Sequence, residues 1–292
     1  MEGKVVVVTG ATGGIGGATA RGVAERGATT VLVARDPERG EALRAGIARA
    51  TGNPRVQLFV ADLSSLAAVR AVAAEIAADH PRIDVLVNNA ATYTRRRKES
   101  ADGIELQWAV NHLAPFLLTH SLLGPLTAGG ARVVTVSSAA HRGARLRWDD
   151  LEMRRRYFGW AAYSATKLAN LLFTRELARR MGGSGVTANA LHPGVVATEL
   201  LMGGFPPIRL LRRFLRTPEQ GARTPIFLTT SPTVEGLTGK YWIDSEQVDP
   251  SPAALDDEAA ARLWHWSERM TGIADTAPRS TSERSEARPP ST

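Results

Sequence analysis

Short apolar runs alternate with longer amphipathic stretches along most of this chain. Runs rich in Val, Leu and Ile predict buried strands at 4–9, 29–34, 55–60, 83–88, 131–137, 185–191 and 238–243. They are too short for helices, and β-branched residues favour extended backbone. Between them, helical spacing predicts helices near 14–26, 37–51, 64–79, 102–128, 160–181 and 217–230. Such alternation predicts parallel strands joined by crossover helices. The expected fold is therefore α/β, a single doubly wound Rossmann-type sheet of about seven strands flanked by helices.

Two stretches depart from the pattern. Residues 203–216, with Gly203-Gly204 and Pro206-Pro207, interrupt it after the sixth strand. That places a mobile excursion beside the strand C-termini, where ligands bind in such sheets. A short helix is expected over 256–270, with Trp264 and Trp266 on opposite sides and at least one of them packed or at a subunit contact. From Ala274 the chain is Ser, Thr, Pro, Arg and Glu without an apolar face, so 274–292 is expected to be a disordered tail and 1–273 one domain.

Composition narrows the function. The 292 residues, 43% of them apolar, suffice for one substantial core. Cysteine is absent, which excludes disulfides and thiolate metal sites, and the six histidines show no paired spacing, so no metal is expected. No run of 18 apolar residues predicts a membrane-spanning helix, and the first strand begins too early for a signal peptide. A soluble cytoplasmic protein is expected. The net charge of +7 raises the question of nucleic acid. The basic clusters at 95–98, 154–156 and 209–216 fall in different loops without interleaved aromatics, so they read as solvated surface and no nucleic-acid partner is expected.

The candidate chemistry begins at the first strand. The run 4–9 leads directly into Gly10, Ala11, Thr12, Gly13, Gly14, Ile15 and Gly16, then into a helix of small residues. Strand, glycine loop and helix N-terminus together make a phosphate cradle, because glycine admits the pyrophosphate and free N–H groups attract it. Arg35 ends the second strand and suits a 2′-phosphate by bidentate pairing, while Asp36-Pro37 reads as helix cap and first helical residue. The expected cofactor is therefore NADP(H) rather than NAD(H). Tyr163 and Lys167, four positions apart, share a helix face. An ammonium beside a phenol favours the phenolate and lowers a pKa of about 10, making Tyr163 an acid in carbonyl reduction and a base in alcohol oxidation. Ser138, with Ser137 as rival, follows the fifth strand and can hydrogen-bond a carbonyl oxygen where charge develops. Asn111 is an unfavourable residue inside a helix and can kink it or hold water. His112 reads as surface or packing, and His141 and His192 as structural.

The glycine spacing, Asn88-Asn89-Ala90, Asn111, Ser137-Ser138 and Tyr163/Lys167, all in order, resemble the short-chain dehydrogenase/reductase family over residues 3–245. Residues 108–116, 136–141 and 167–170 resemble its retinol dehydrogenase and carbonyl reductase-like branch. The resemblance favours Ser138 over Ser137 and gives Asn111 a proton-relaying water that acts through Lys167. It places Lys167 on the nicotinamide ribose, Asp62-Leu63 on the adenine, Asn88 and Ala90 along the cofactor, and Pro193, Gly194 and Thr198 on the carboxamide. Ala91 stands where the family usually has glycine. Residues 200–216 become a substrate lid, and its Leu200, Leu201, Met202, Phe205 and Ile208 suggest an apolar, bulky carbonyl or alcohol. Homodimers or homotetramers through the helices at 102–128 and 160–181 are also implied, although the loop 142–159 and the C-terminal segment can restrict assembly. The activity expected is hydride transfer between nicotinamide and a carbonyl or alcohol. The alternatives are a non-catalytic dinucleotide-binding regulator and a biosynthetic tailoring reductase.

Overall fold

The computed structural model describes residues 1–197 and 215–273. Eight strands form one sheet in the order β3-β2-β1-β4-β5-β6-β7-β8. They are β1 (Val5–Thr9), β2 (Thr29–Ala34), β3 (Val56–Val60), β4 (Val85–Asn88), β5 (Arg132–Val136), β6 (Thr187–His192), β7 (Tyr241–Ile243) and β8 (Glu246–Val248). The first seven pair in parallel and match the seven predicted strands. The eighth is new and pairs antiparallel with β7. Asp244 and Ser245 join them, both at positive φ (52° and 65°), as a tight hairpin requires. Glu246-Gln247-Val248 lacks an apolar alternation that would have announced a strand.

β1 lies between β2 and β4, so the strand order reverses there. In open α/β sheets that reversal opens a crevice at the strand C-termini. One sheet face is covered by α1 (Gly14–Ala24), α2 (Pro37–Thr51) and the helix Arg223–Thr230, whose side chains pack with Val6, Val8 and Leu32. The other carries α3 (Leu66–Asp79) and a succession of short helices, and α7 (Gly159–Arg180). That succession replaces the single helix expected at 102–128. It comprises α4 (Leu106–Trp108), a π-helical turn Ala109–Leu113, α5 (Ala114–Ser121) and α6 (Leu123–Gly129). It starts at 106 because the Glu105 carboxylate caps it, accepting from Trp108 N at 2.8 Å. It is interrupted where Pro115 offers no N–H.

The C-terminal helix Asp257–Thr271 lies across α5 and α7. Trp264 packs against Phe116 and Phe173 (ring centroids 4.9 and 6.0 Å apart), with the Arg180 guanidinium 4.6 Å from its ring. Trp266 meets Trp108 at 5.0 Å, and Ser267 is hydrogen-bonded to buried His112 at 2.8 Å. Both tryptophans therefore pack within the chain, and His112 belongs to this packing. The helix covers part of the two helices from which the resemblance implied oligomers.

The excursion at 200–216 lies outside the described residues except for its last two, and so does the tail 274–292. Its flanks meet: Arg216 N donates to Val195 O at 3.0 Å and Ala197 N to Arg216 O at 2.9 Å. Among the described residues, no helix is long and apolar enough to cross a membrane. In the clusters at 95–98 and 154–156 three charges are paired locally, Arg97 with Glu99, Arg154 with Glu152 and Arg155 with Asp149, while the cluster at 209–216 lies outside the described residues except for its last two.

Candidate active site

A cleft of about 740 Å³ runs along the C-terminal ends of β1, β4 and β5. Gly10, Thr12, Gly13, Gly14, Ile15 and Gly16 line one stretch of it. Gly10 has φ +66°, and a Cβ there would lie 2.7 Å from Ala90 Cα. A Cβ on Gly16 would lie 2.4 Å from both Asn89 Nδ2 and the Gly10 carbonyl oxygen. Close approach of backbone to backbone therefore requires glycine at both places. Asn89 clamps the loop, its Nδ2 donating to Thr9 O at 2.8 Å and to Gly10 O at 3.3 Å. Gly13 gives α1 no side-chain cap, so the first-turn N–H groups have no side-chain acceptor.

Two residues assigned to the cofactor from sequence are placed elsewhere. Ala11 is buried and packs into the core. Asn88 points into the protein, its Nδ2 donating to Thr119 Oγ1 at 3.1 Å. Successive strand residues face opposite ways, so it is Asn89, with Ala90 and Ala91, that lines the cleft.

At the far end stand Arg35, Asp62 and Leu63. Asp36 caps α2 by accepting from Arg39 N at 3.0 Å, with Pro37 as first helical residue. That cap turns Arg39 toward the same end, beside Arg35. Sequence reasoning missed Arg39; the signal was a second guanidinium in the first turn after the β2 loop. Asp62 accepts from Ser64 N at 3.0 Å, while α3 is capped one residue later, by Ser65.

At the opposite end α7 presents Tyr163 and Lys167. The Tyr163 ring is stacked with Trp160 (5.7 Å) and meets Tyr93 edge-on (6.0 Å). Lys167 is 2% exposed; its Nζ donates to Val136 O at 2.9 Å and lies 5.6 Å from the Tyr163 ring centroid. Ser137 is buried and its hydroxyl donates to Lys167 O at 2.7 Å, so it is engaged with α7. Ser138 lines the cleft, caps the following turn by accepting from Ala140 N at 3.2 Å, and lies near enough to the Tyr163 hydroxyl to favour its ionised form.

The electrostatics correct one expectation. Burial pushes the Tyr163 phenol up to about 12, and only the nearby Ser138 hydroxyl works against that rise. Burial also lowers Lys167 to about 8. Desolvation thus outweighs the attraction between ammonium and phenolate anticipated from their spacing. The phenol stays protonated at neutral pH, which is the form a proton donor needs.

Asn111 sits in the π-helical turn, fully buried. Its Oδ1 accepts from Thr92 N at 2.7 Å, and its Nδ2 donates to Thr92 O at 3.0 Å and Thr166 Oγ1 at 3.1 Å. The amide pins the loop after β4 to α7 and is committed there. Pro193 and Gly194 (φ +86°) line the cleft beside Lys167, and Thr198 lies outside the described residues.

A reversal-point cleft with a glycine cradle along it and Ser, Tyr and Lys at one end defines the class: a Rossmann-type oxidoreductase that uses a nicotinamide dinucleotide. The model of the short chain dehydrogenase family matches residues 4–206. The chain belongs to the short-chain dehydrogenase/reductase family, in its retinol dehydrogenase-like branch. It is 42% identical to mouse (Mus musculus) retinol dehydrogenase 14 over 94% of this chain and 87% of that one. A crystal structure of an uncharacterized protein from Mycobacterium paratuberculosis is similar with a TM-score of 0.77 and 35% identity, over 93% of this chain and 94% of that one. An NAD(P)-dependent gluconate 5-dehydrogenase structure from Beutenbergia cavernae, with NADP bound at low occupancy, gives 0.67 and 30% over 82% and 94%. The protein is accordingly an oxidoreductase acting on an alcohol or carbonyl group.

Proposed function

We propose that the protein is an NADP(H)-dependent reductase of apolar, bulky carbonyl compounds, with the reverse oxidation as its other direction, and that Tyr163 is the group that moves the proton. The observation that carries this reading is the convergence of Ser138, Tyr163 and Lys167 at one end of a cleft whose other end holds Arg35 and Arg39.

The residues fit a dinucleotide. The cradle is one that a Cβ at Gly10 or Gly16 would fill, and the first-turn N–H groups of α1 await an anion. Gly13, Gly14 and Ile15 would hold the pyrophosphate, Asp62 and Leu63 the adenine, and Pro193 and Gly194 the nicotinamide end. Arg35 and Arg39 would take a 2′-phosphate. The NADP in the Beutenbergia relative supports the same choice. When bound, the dinucleotide supplies or accepts the hydride.

The chain's own residues handle the rest. Ser138 Oγ–H donates to the carbonyl oxygen as negative charge gathers there. Tyr163, protonated at neutral pH, delivers the proton, a contribution typically worth about 10²–10⁴-fold. Lys167 carries its charge beneath that ring, where it favours the phenolate left behind and can bind ribose hydroxyls. A relay water near Asn111 would hang on backbone oxygens, since Pro115 leaves the π-helical turn short of N–H donors. Tyr93, Leu106, Val110 and Trp160 give the substrate end an apolar wall, which supports a bulky apolar substrate, as does the likeness to retinol dehydrogenases.

The test is isotope transfer. NADPH deuterated at the nicotinamide C4 is incubated with the protein and a panel of aldehydes and ketones of increasing apolar bulk. Deuterium is expected on the former carbonyl carbon of the product. Tight NADPH binding without transfer to any member would instead mark a non-catalytic dinucleotide-binding protein.

A further inference from the structure

His141 lies three residues after Ser138, in the short 3-10 turn Ala139–Gly143, and its side chain is buried. Its Nδ1 is 2.6 Å from the Ser138 carbonyl oxygen. Its Nε2 is 3.1 Å from the backbone N–H of Ser251. A carbonyl oxygen can only accept and a backbone N–H can only donate. The roles are therefore forced: Nδ1 carries the hydrogen and Nε2 offers a lone pair. A doubly protonated ring would set one N–H against another.

We propose that His141, as the neutral Nδ1–H tautomer, is a positioning residue that fixes the Ser138 peptide, and with it the hydroxyl, by bracing it against the segment leading to the C-terminal helix. Ser138 is held in extended backbone (φ −160°, ψ 155°), and its carbonyl also takes the His141 backbone N–H at 3.2 Å. Two donors on one oxygen leave that peptide plane little freedom. The brace has a second strut, because the Arg142 guanidinium donates to Asp249 O at 3.1 Å. Ser251 opens the turn Pro252–Leu255 that precedes the C-terminal helix, so the reactive loop is anchored to chain about 110 residues away.

The neighbours keep the ring neutral. Tyr241 on β7 meets it edge-on at 5.1 Å, the adjacent Arg142 is cationic, and burial holds the imidazole below its ordinary value. His192 on β6 is held neutral by burial and by Arg216, to about 4. Among the described residues no carboxylate sets the His141 protonation; the Ser138 carbonyl alone favours the charged ring, against burial and Arg142.

The inference rests on Ser138 being the hydroxyl that meets the carbonyl oxygen, and its test separates the two ideas. Asn at position 141 places a donor near Nδ1, whereas Gln places an acceptor near Nε2. His141→Gln is therefore expected to lower kcat about ten- to a hundredfold with little change in the NADPH Kd, the size expected when a reacting group is misplaced. His141→Asn is expected to recover most of that loss. In a Ser138→Ala background, His141→Gln should cost nothing further, since residues acting through one hydroxyl are not additive. Nitrogen-resolved NMR of the wild-type ring at about pH 8 should show hydrogen on Nδ1 and none on Nε2, a readout that needs neither variant nor turnover. Equal losses in the Gln and Asn variants, a Gln penalty that persists without the Ser138 hydroxyl, or a ring protonated on Nε2 would each overturn the proposal. A Ser138→Ala enzyme with undiminished kcat would overturn the reading beneath it as well.

Discussion

Removing the Arg35 side chain should separate the two nicotinamide cofactors. Arg35 and Arg39 are exposed and share the adenosine end of the cleft. A charge-assisted hydrogen bond to phosphate is typically worth about ten- to a hundredfold in affinity. Solvent screens exposed guanidinium groups, so Arg35→Ala is placed at the lower end, about tenfold weaker NADPH binding. NADH has no 2′-phosphate, and its affinity should stay within about twofold. Arg39→Ala should show the same selectivity, and the double variant should bind the two cofactors about equally. Fluorescence titration of both cofactors into the wild type and the three variants reads this directly. Salt provides an internal check, because raising ionic strength should weaken NADPH more than NADH in the wild type and equally in the double variant. Tighter NADH than NADPH binding in the wild type, or equal loss of both on Arg35→Ala, would refute the reasoning.

Three further outcomes are expected. Gly16→Ala pushes a methyl to 2.4 Å from Asn89 Nδ2 and Gly10 O, so it should cost roughly 1–3 kcal/mol and more than tenfold in NADPH affinity, by denaturant melt and titration. Lys167, held near 8 against an ordinary 10.5, binds fewer protons in the folded protein than in the unfolded chain between those values. Stability should therefore rise with pH from about 8, until Tyr163, held near 12 against 10, opposes it above about 10. Lys167→Met should flatten that rise in melts recorded across the window, and an unchanged slope would show that Lys167 is not desolvated. Trp264→Ala empties the contact of the C-terminal helix with Phe116 and Phe173 and should cost about 3–5 kcal/mol in urea unfolding; a loss under 1 kcal/mol would show that the helix is only loosely docked.

Much of this arrangement could be read before any coordinates. Seven strands were legible because they stand out as short apolar runs, the central ones buried on both faces and the edge strand β3 still marked by Val56, Leu58, Phe59 and Val60. β8 was not, because an exposed edge strand such as Glu246–Val248 needs no apolar pattern. Tyr163 and Lys167 could be paired from helical spacing, but the height of the phenol's pKa could not, since burial is a property of the packed site. Asn88 was assigned to the cofactor from sequence, and only the pleat of β4 shows that its neighbour Asn89 is the one on the cleft side. Asn111 was rightly singled out as an odd helix residue. Its partners Thr92 and Thr166 lie 19 and 55 positions away and carry no local signal. His141 read as structural, and its tie to Ser251, 110 positions on, was equally invisible.

The central claim is that the Tyr163 hydroxyl moves the proton. Tyr163→Phe removes one oxygen from a ring wedged between Tyr93 and Trp160 and leaves those contacts intact. Carbonyl reduction at saturating NADPH should fall by about 10²–10⁴ while the NADPH dissociation constant stays within about twofold. A phenylalanine enzyme that reduces the same carbonyl at close to the wild-type rate would contradict the account.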